Sequence, residues 1–75
     1  MGAPPNNPGI PRWDGEAFYR IRIKNGMTLD DVAKIVGRSK TAISRWENGI
    51  HTPDAVSVVK MAKAMGVKPV RFSRV

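Results

Sequence analysis

A chain of 75 residues makes one small domain, which buries only about 60% of the surface it exposes when unfolded; a deep catalytic pocket with its own supporting shell does not fit. Hydrophobic residues at 41% and charged residues at 25% are ordinary for a soluble globular protein, so disorder throughout is excluded. Thirteen Lys and Arg against six Asp and Glu give a net charge of +7, which points to a polyanionic partner, nucleic acid ahead of an anionic membrane surface.

Residues 1–12 hold four of the six prolines, two glycines and two asparagines. Such a segment has few ways to bury apolar area and is expected to be a flexible arm, with Arg12 as its one cation. From Trp13 onward the signals are helical. Asp14 is placed to cap a helix over about 15–25, with Phe18 and Ile21 inward and Asn25 at the rim. Trp13 before the cap and Phe18 at the fourth helical position have the spacing of a hydrophobic staple, and Asn25-Gly26 supplies a left-handed stop.

The same grammar recurs. Leu29, Val32, Ala33 and Val36 fall at i, i+3, i+4 and i+7, one face of a second helix. Thr28 caps it, Asp30 and Asp31 suit its positive end, Met27 and Val32 form a second staple, and Gly37 ends it. Ser39 caps a third helix running from Lys40 to about Asn48, with Ile43 and Trp46 inward and Asn48-Gly49 closing it. A fourth is expected to start at Thr52-Pro53, Thr52 as the cap and Pro53 at the first helical position. Its apolar stripe is Val58, Val59, Ala62 and Met65, and Gly66 ends it; Lys60 and Lys63 suit the negative end of its dipole. In the tail, 68–75, Pro69 is expected to start a short helical turn from which Val70 and Phe72 pack back. The alternative is a half-buried strand in which Val70 and Phe72 alternate with Arg71 and Ser73.

The stretch from Thr28 to Pro53 is the informative one. A small residue at Ala33 lets two backbones approach, Gly37 permits positive φ, and Ile43 with Trp46 anchors the third helix on the second. With that inner face fixed, Lys40, Thr41, Ser44, Arg45 and Asn48 share the outer face, and none is acidic. Such a surface suits a helix lying in the major groove, where base edges offer donors and acceptors between walls of phosphate. The helix N-terminus adds free N–H groups for a phosphate. The fold expected is all-α, a compact bundle of four to five short helices containing a helix-turn-helix, with domain bounds at 13–67.

On these residues the chain resembles the lambda-repressor/Cro (XRE) family of helix-turn-helix regulators. The matching positions are Arg22, Gly26, Met27-Thr28, Val32-Ala33, Gly37, Ser39, the run Ile43 to Gly49, Pro53, and Ala62 through Val67. The Ser44 to Gly49 run followed by Pro53 is the specific part. The resemblance implies that Lys40, Thr41, Ser44 and Arg45 reach base edges or flanking phosphates, that Ser39 caps the recognition helix, and that Asn48, Ile50, His51 and Thr52 lie along the DNA backbone. It also implies a buried ion pair between Arg22 and Glu47. One departure is Leu29, where the family commonly has a Gln that contacts phosphate; Arg38 or Lys40 is expected to supply that contact instead.

Other chemistries find little support. With no cysteine there is neither a disulfide framework nor a thiolate metal site, and the single His51 cannot make a zinc site. Ser44 or Ser57 as a nucleophile would need a nearby base and an orienting acid, and the chain offers no such set, so no enzyme and no cofactor is expected. No apolar run approaches a membrane span of about 18 residues and no secretory signal is evident, so a cytoplasmic location is expected. Three functions compete: a repressor or Cro-like regulator binding double-stranded DNA as a homodimer, with no sensor domain attached; an antitoxin or adaptor that mainly binds a protein through the Val70/Phe72 tail and the arm; and, last, a lipid-surface binder.

Overall fold

The computed structural model describes residues 12–74. Four helices follow in chain order, α1 (Gly15–Lys24), α2 (Leu29–Val36), α3 (Lys40–Glu47) and α4 (Ala55–Met65), and a 3-10 turn at Pro69–Phe72 completes the bundle. The arm expected over residues 1–12 lies outside the described residues except for Arg12.

Each helix starts where a side-chain oxygen can satisfy amides that would otherwise lack a partner. Asp14 accepts from the amides of Glu16 and Ala17. Thr28 and Asp31 form a reciprocal capping box, and Ser39 accepts from the Ala42 amide. For α4 the cap is Asp54, whose carboxylate accepts from the Ser57 amide, not Thr52. Pro53, expected at the first helical position, instead precedes the cap and is fully buried. A carboxylate that bonds both the Ser57 amide and, at 2.7 Å, the Ser57 hydroxyl outcompetes the threonine, while the proline ring is apolar area to bury.

The core takes Phe18 and Ile21 from α1, Val32, Ala33 and Val36 from α2, Ile43 and Trp46 from α3, Val58, Met61, Ala62 and Met65 from α4, and Phe72 from the 3-10 turn. Helix α2 packs on α3 and α4, α1 packs on α3, and the 3-10 turn lies against α1 and α4. In α4 the inward stripe differs from expectation. Val59 is 51% exposed and Met61 fully buried, because Val58, Met61, Ala62 and Met65 complete the i, i+3, i+4, i+7 set that Val59 breaks. Asn25 is also exposed; its side-chain amide turns back to the Ile21 carbonyl at 2.8 Å while Arg22 takes the buried position.

The tail combines both of its readings. It forms the helical turn, and Phe72 is buried, but Val70 points to solvent. Ser73 then pairs with Trp13 in an antiparallel bridge. The Asp14 amide donates to the Phe72 carbonyl at 2.8 Å and the Arg74 amide to the Arg12 carbonyl at 2.9 Å. Trp13, Phe18 and Phe72 stack at ring separations of 5.6 to 5.7 Å, so the staple residues Trp13 and Phe18 enclose a third ring from the far end of the chain. No helix among the described residues is long and apolar enough to cross a membrane.

Candidate nucleic-acid interface

The turn between α2 and α3 begins at Gly37, with φ of 71°. This left-handed geometry would strain any residue with a Cβ. The amides of Gly37 and Arg38 both return to the Ala33 carbonyl, at 2.9 and 3.1 Å, which closes α2 in a single step. Two residues later Ser39 opens α3. The interhelical turn is therefore three residues long, and Val36 and Ile43 remain buried on either side of it.

On α3 the inner face is sealed, with Ile43 0% and Trp46 4% exposed. Lys40, Thr41 and Arg45 are exposed, and Ser44 is half-buried. Helix α3 has one acid, Glu47, and it is turned away from this outer face. Arg22 holds it through a two-pronged contact, Nε to Oε2 at 2.7 Å and Nη2 to Oε1 at 3.0 Å. The remaining Arg22 nitrogen, Nη1, donates to the Met27 carbonyl at 2.8 Å. Every charge of this largely buried pair is thus matched in a fork geometry that Lys could not reproduce.

The flanking positions are less uniform. Ser39, His51 and Thr52 are exposed. The amides of Ile50 and His51 both donate to the Arg45 carbonyl, at 2.9 and 3.2 Å, which folds this loop against the end of α3. Asn48 is exposed, but its side-chain amide donates to the Ser44 carbonyl at 2.9 Å, so one of its hydrogens is already committed. Arg38 lies 3.0 Å from Asp54 with its guanidinium 5.8 Å from the centre of the Trp46 ring. Leu29, which stands where the family commonly has a Gln, is partly buried against the core.

Two features escaped the sequence reading. The Asp54 carboxyl is held below the ordinary carboxylate range, first by the Ser57 hydroxyl, then by the Ser57 amide and Arg38, against the opposing effect of burial. A mislocated cap hid this, although a carboxylate three residues ahead of Ser57 is itself a capping signal. The second is the contact of Trp13 and Gly15 with the end of α3, for which the sequence carries no local mark.

Comparisons with known proteins agree with this geometry. A family model described as helix-turn-helix matches residues 18–72. The "uncharacterized HTH-type transcriptional regulator y4dJ" of Sinorhizobium fredii (strain NBRC 101917 / NGR234) is 31% identical over 58 residues, 77% of this chain and 75% of that protein. Among solved structures, the P22 c2 repressor in complex with synthetic operator 9T is 31% identical with a TM-score of 0.68, covering 73% of this chain and 83% of that one. The restriction-modification controller protein C.AhdI from Aeromonas hydrophila shares the fold, with a TM-score of 0.71 at 21% identity over 77% of this chain and 88% of its own. The chain belongs to the Cro/C1-like (XRE) family of helix-turn-helix DNA-binding domains.

Proposed function

We propose that the protein is a cytoplasmic transcriptional regulator, a repressor or Cro-like protein, that binds specific double-stranded DNA as a homodimer with α3 in the major groove. The observation that carries this reading is the division of α3 into a sealed inner face, Ile43 and Trp46, and an outer face of Lys40, Thr41, Ser44 and Arg45 from which the one acid is withdrawn. In this reading those four side chains meet base edges. Ser39, with Arg38, Asn48, His51 and Thr52, meets the phosphates. The P22 c2 repressor, similar over most of both chains, is seen on its operator, which supports the same docking here.

Homodimers of this kind read two half-sites about 34 Å apart, or a multiple of it. Selection from random duplex DNA, followed by binding over a salt series, tests the proposal. A motif with two symmetric halves and affinity falling steeply with salt, as counterions leave the phosphates, is the expected result. No enriched sequence, or a single half-site bound by a monomer, contradicts it.

Exposed Val56, Val59 and Val70 favour a second reading, an antitoxin or adaptor whose domain mainly holds a protein. Phe72, in the core, is not part of that surface. A stoichiometric protein that co-purifies through high salt, with no enriched DNA sequence, would establish it.

A further inference from the structure

The end of the recognition helix is held by residues that lie ahead of the helix-turn-helix itself. The indole N–H of Trp13 donates to the main-chain carbonyl of Trp46 at 2.8 Å, across 33 residues of sequence. That carbonyl belongs to the last turn of α3, beyond the regular helical ladder; it accepts from the Gly49 amide at 3.1 Å, and the Trp13 indole is its second strong donor. Directly beside it, Gly15 opens α1 with its bare Cα against the Trp46 and Glu47 carbonyls. A Cβ at Gly15 would stand 2.8 Å from the Trp46 oxygen and nearer still to the Glu47 oxygen. Helix α1 thus starts in direct backbone contact with the place where α3 ends.

Trp13 is itself fixed from behind. Its backbone bridges to Ser73, the neighbouring Asp14 amide bonds Phe72, and its ring leans on Phe18 and Phe72. A continuous set of contacts therefore runs from the 3-10 turn through Trp13 to the C-terminal turn of α3. The segment that matches the helix-turn-helix family begins at residue 18, so Trp13 and Gly15 lie ahead of the matched segment. The Arg22–Glu47 pair fixes the side chain of Glu47; Trp13 fixes the backbone one residue earlier.

We propose that Trp13 is a positioning residue for DNA recognition. Its indole N–H sets the orientation of α3 against α1, and so the register in which Lys40, Thr41, Ser44 and Arg45 meet the bases. The inference rests on the DNA-binding reading above. A register set by α3 governs contacts with base edges, which need hydrogen-bond geometry, far more than contacts with phosphates, which need charge and proximity. Loss of the indole donor is therefore expected to weaken operator binding and leave non-specific binding in place.

The test compares the full chain with Trp13→Phe, which removes the donor and keeps an aromatic ring on Phe18 and Phe72. Binding is measured to the selected operator duplex and to a scrambled duplex, each corrected for the folded fraction. Operator affinity is expected to fall about three- to ten-fold, the range of one net hydrogen bond, with affinity for the scrambled duplex within about two-fold of the original. Parallel loss on both duplexes, or no loss on either, overturns the proposal.

If Trp13→Phe does not fold, the unaltered protein supplies the readout. By linkage, an operator that requires the positioned α3 must stabilise the bond that positions it. Solvent exchange of the Trp13 indole proton should then slow on adding operator and not on adding the scrambled duplex. Equal slowing by both overturns the proposal. An unaltered protein that shows no preference for any duplex instead removes the DNA-binding reading, a result distinct from failure of Trp13 alone.

Discussion

Arg22 and Glu47 meet side by side between α1 and α3, with side chains only 8% and 13% exposed, and the fork between them is a charged link that ties α3 to α1. Taking two charges out of water is costly, and the fork with its third bond to Met27 offsets that cost only while both partners are present. Glu47→Ala should therefore cost about 3–5 kcal/mol, because a buried guanidinium is left unmatched. That is a large part of what a domain of this size holds in total, at roughly 0.05–0.15 kcal/mol per residue. Replacing both partners by apolar residues, Arg22→Met with Glu47→Leu, should recover most of the loss. Urea denaturation of the two variants beside the unaltered protein checks this; a double variant as unstable as the single one would show that the pair stabilises more than its apolar replacement.

Two glycines make opposite demands on the backbone. Gly37 needs its left-handed φ of 71° but has open space around it, so Gly37→Ala should cost about 1–2 kcal/mol of backbone strain. Gly15 is inside a helix with ordinary dihedrals, and its constraint is contact with the Trp46 and Glu47 carbonyls. These are backbone atoms that cannot rotate away, so Gly15→Ala should cost about 3 kcal/mol or more, the upper end of overpacking. Equilibrium denaturation ranks the two, and a larger loss at Gly37 would contradict the close approach of α1 to α3.

Acid should loosen the helix starts first. Asp31 is held below its ordinary value of 3.8, mainly by the Thr28 amide, with the Thr28 hydroxyl and Lys34 also contributing, and Asp54 is lowered by Ser57 and Arg38. A carboxyl with a depressed folded-state value contributes stability that is fully present above its unfolded value and lost as pH falls through the folded one. The melting temperature should therefore hold down to about pH 5 and decline below the ordinary carboxylate range. Asp31→Asn and Asp54→Asn together should flatten that decline. Thermal melts from pH 6 to pH 2 give the comparison, and an unchanged slope in the double variant would rule out these two groups as its source.

Arg38 has two anchors within the domain, Asp54 and the face of Trp46, yet remains exposed. As a phosphate contact it should act on all sequences alike: Arg38→Ala should weaken every duplex equally and lower the salt slope by about one. Arg45→Ala should instead cost about 1–3 kcal/mol at particular base pairs. Binding of both variants to operator and scrambled DNA over a salt series separates these roles, and a sequence-selective loss at Arg38 would reverse them.

The first three helices were legible in the sequence because their signals are local. Asp14, Thr28 and Ser39 each precede an apolar stripe of helical period, and Gly37 stands where only a left-handed residue can stop α2 and still let α3 return. The start of α4 was misread because Thr52-Pro53 and Asp54 offer two overlapping caps, and the choice depends on burying the proline ring, a tertiary effect. The expected stripe of α4 includes Val59, whereas helical period assigns that place to Met61, which is buried. The tail was ambiguous for a real reason, since it is a helical turn followed by one bridged residue. The contacts of Trp13 with Ser73 and with the Trp46 carbonyl join residues 60 (73 − 13) and 33 positions apart, and no spacing rule reaches that far. The outer face of α3 was readable because burial of Ile43 and Trp46 fixes everything else on so short a helix.

If the outward side chains of α3 choose the DNA sequence and the inward ones hold the fold, exchanging the outward set should change specificity and leave stability alone. The most direct measurement is to repeat the random-duplex selection after replacing Lys40, Thr41, Ser44 and Arg45 together by other polar residues, leaving Ile43, Trp46 and Glu47 untouched. The enriched sequence should then differ, or be lost, with the melting temperature of the domain little changed. Recovery of the original sequence by the replaced helix would contradict it.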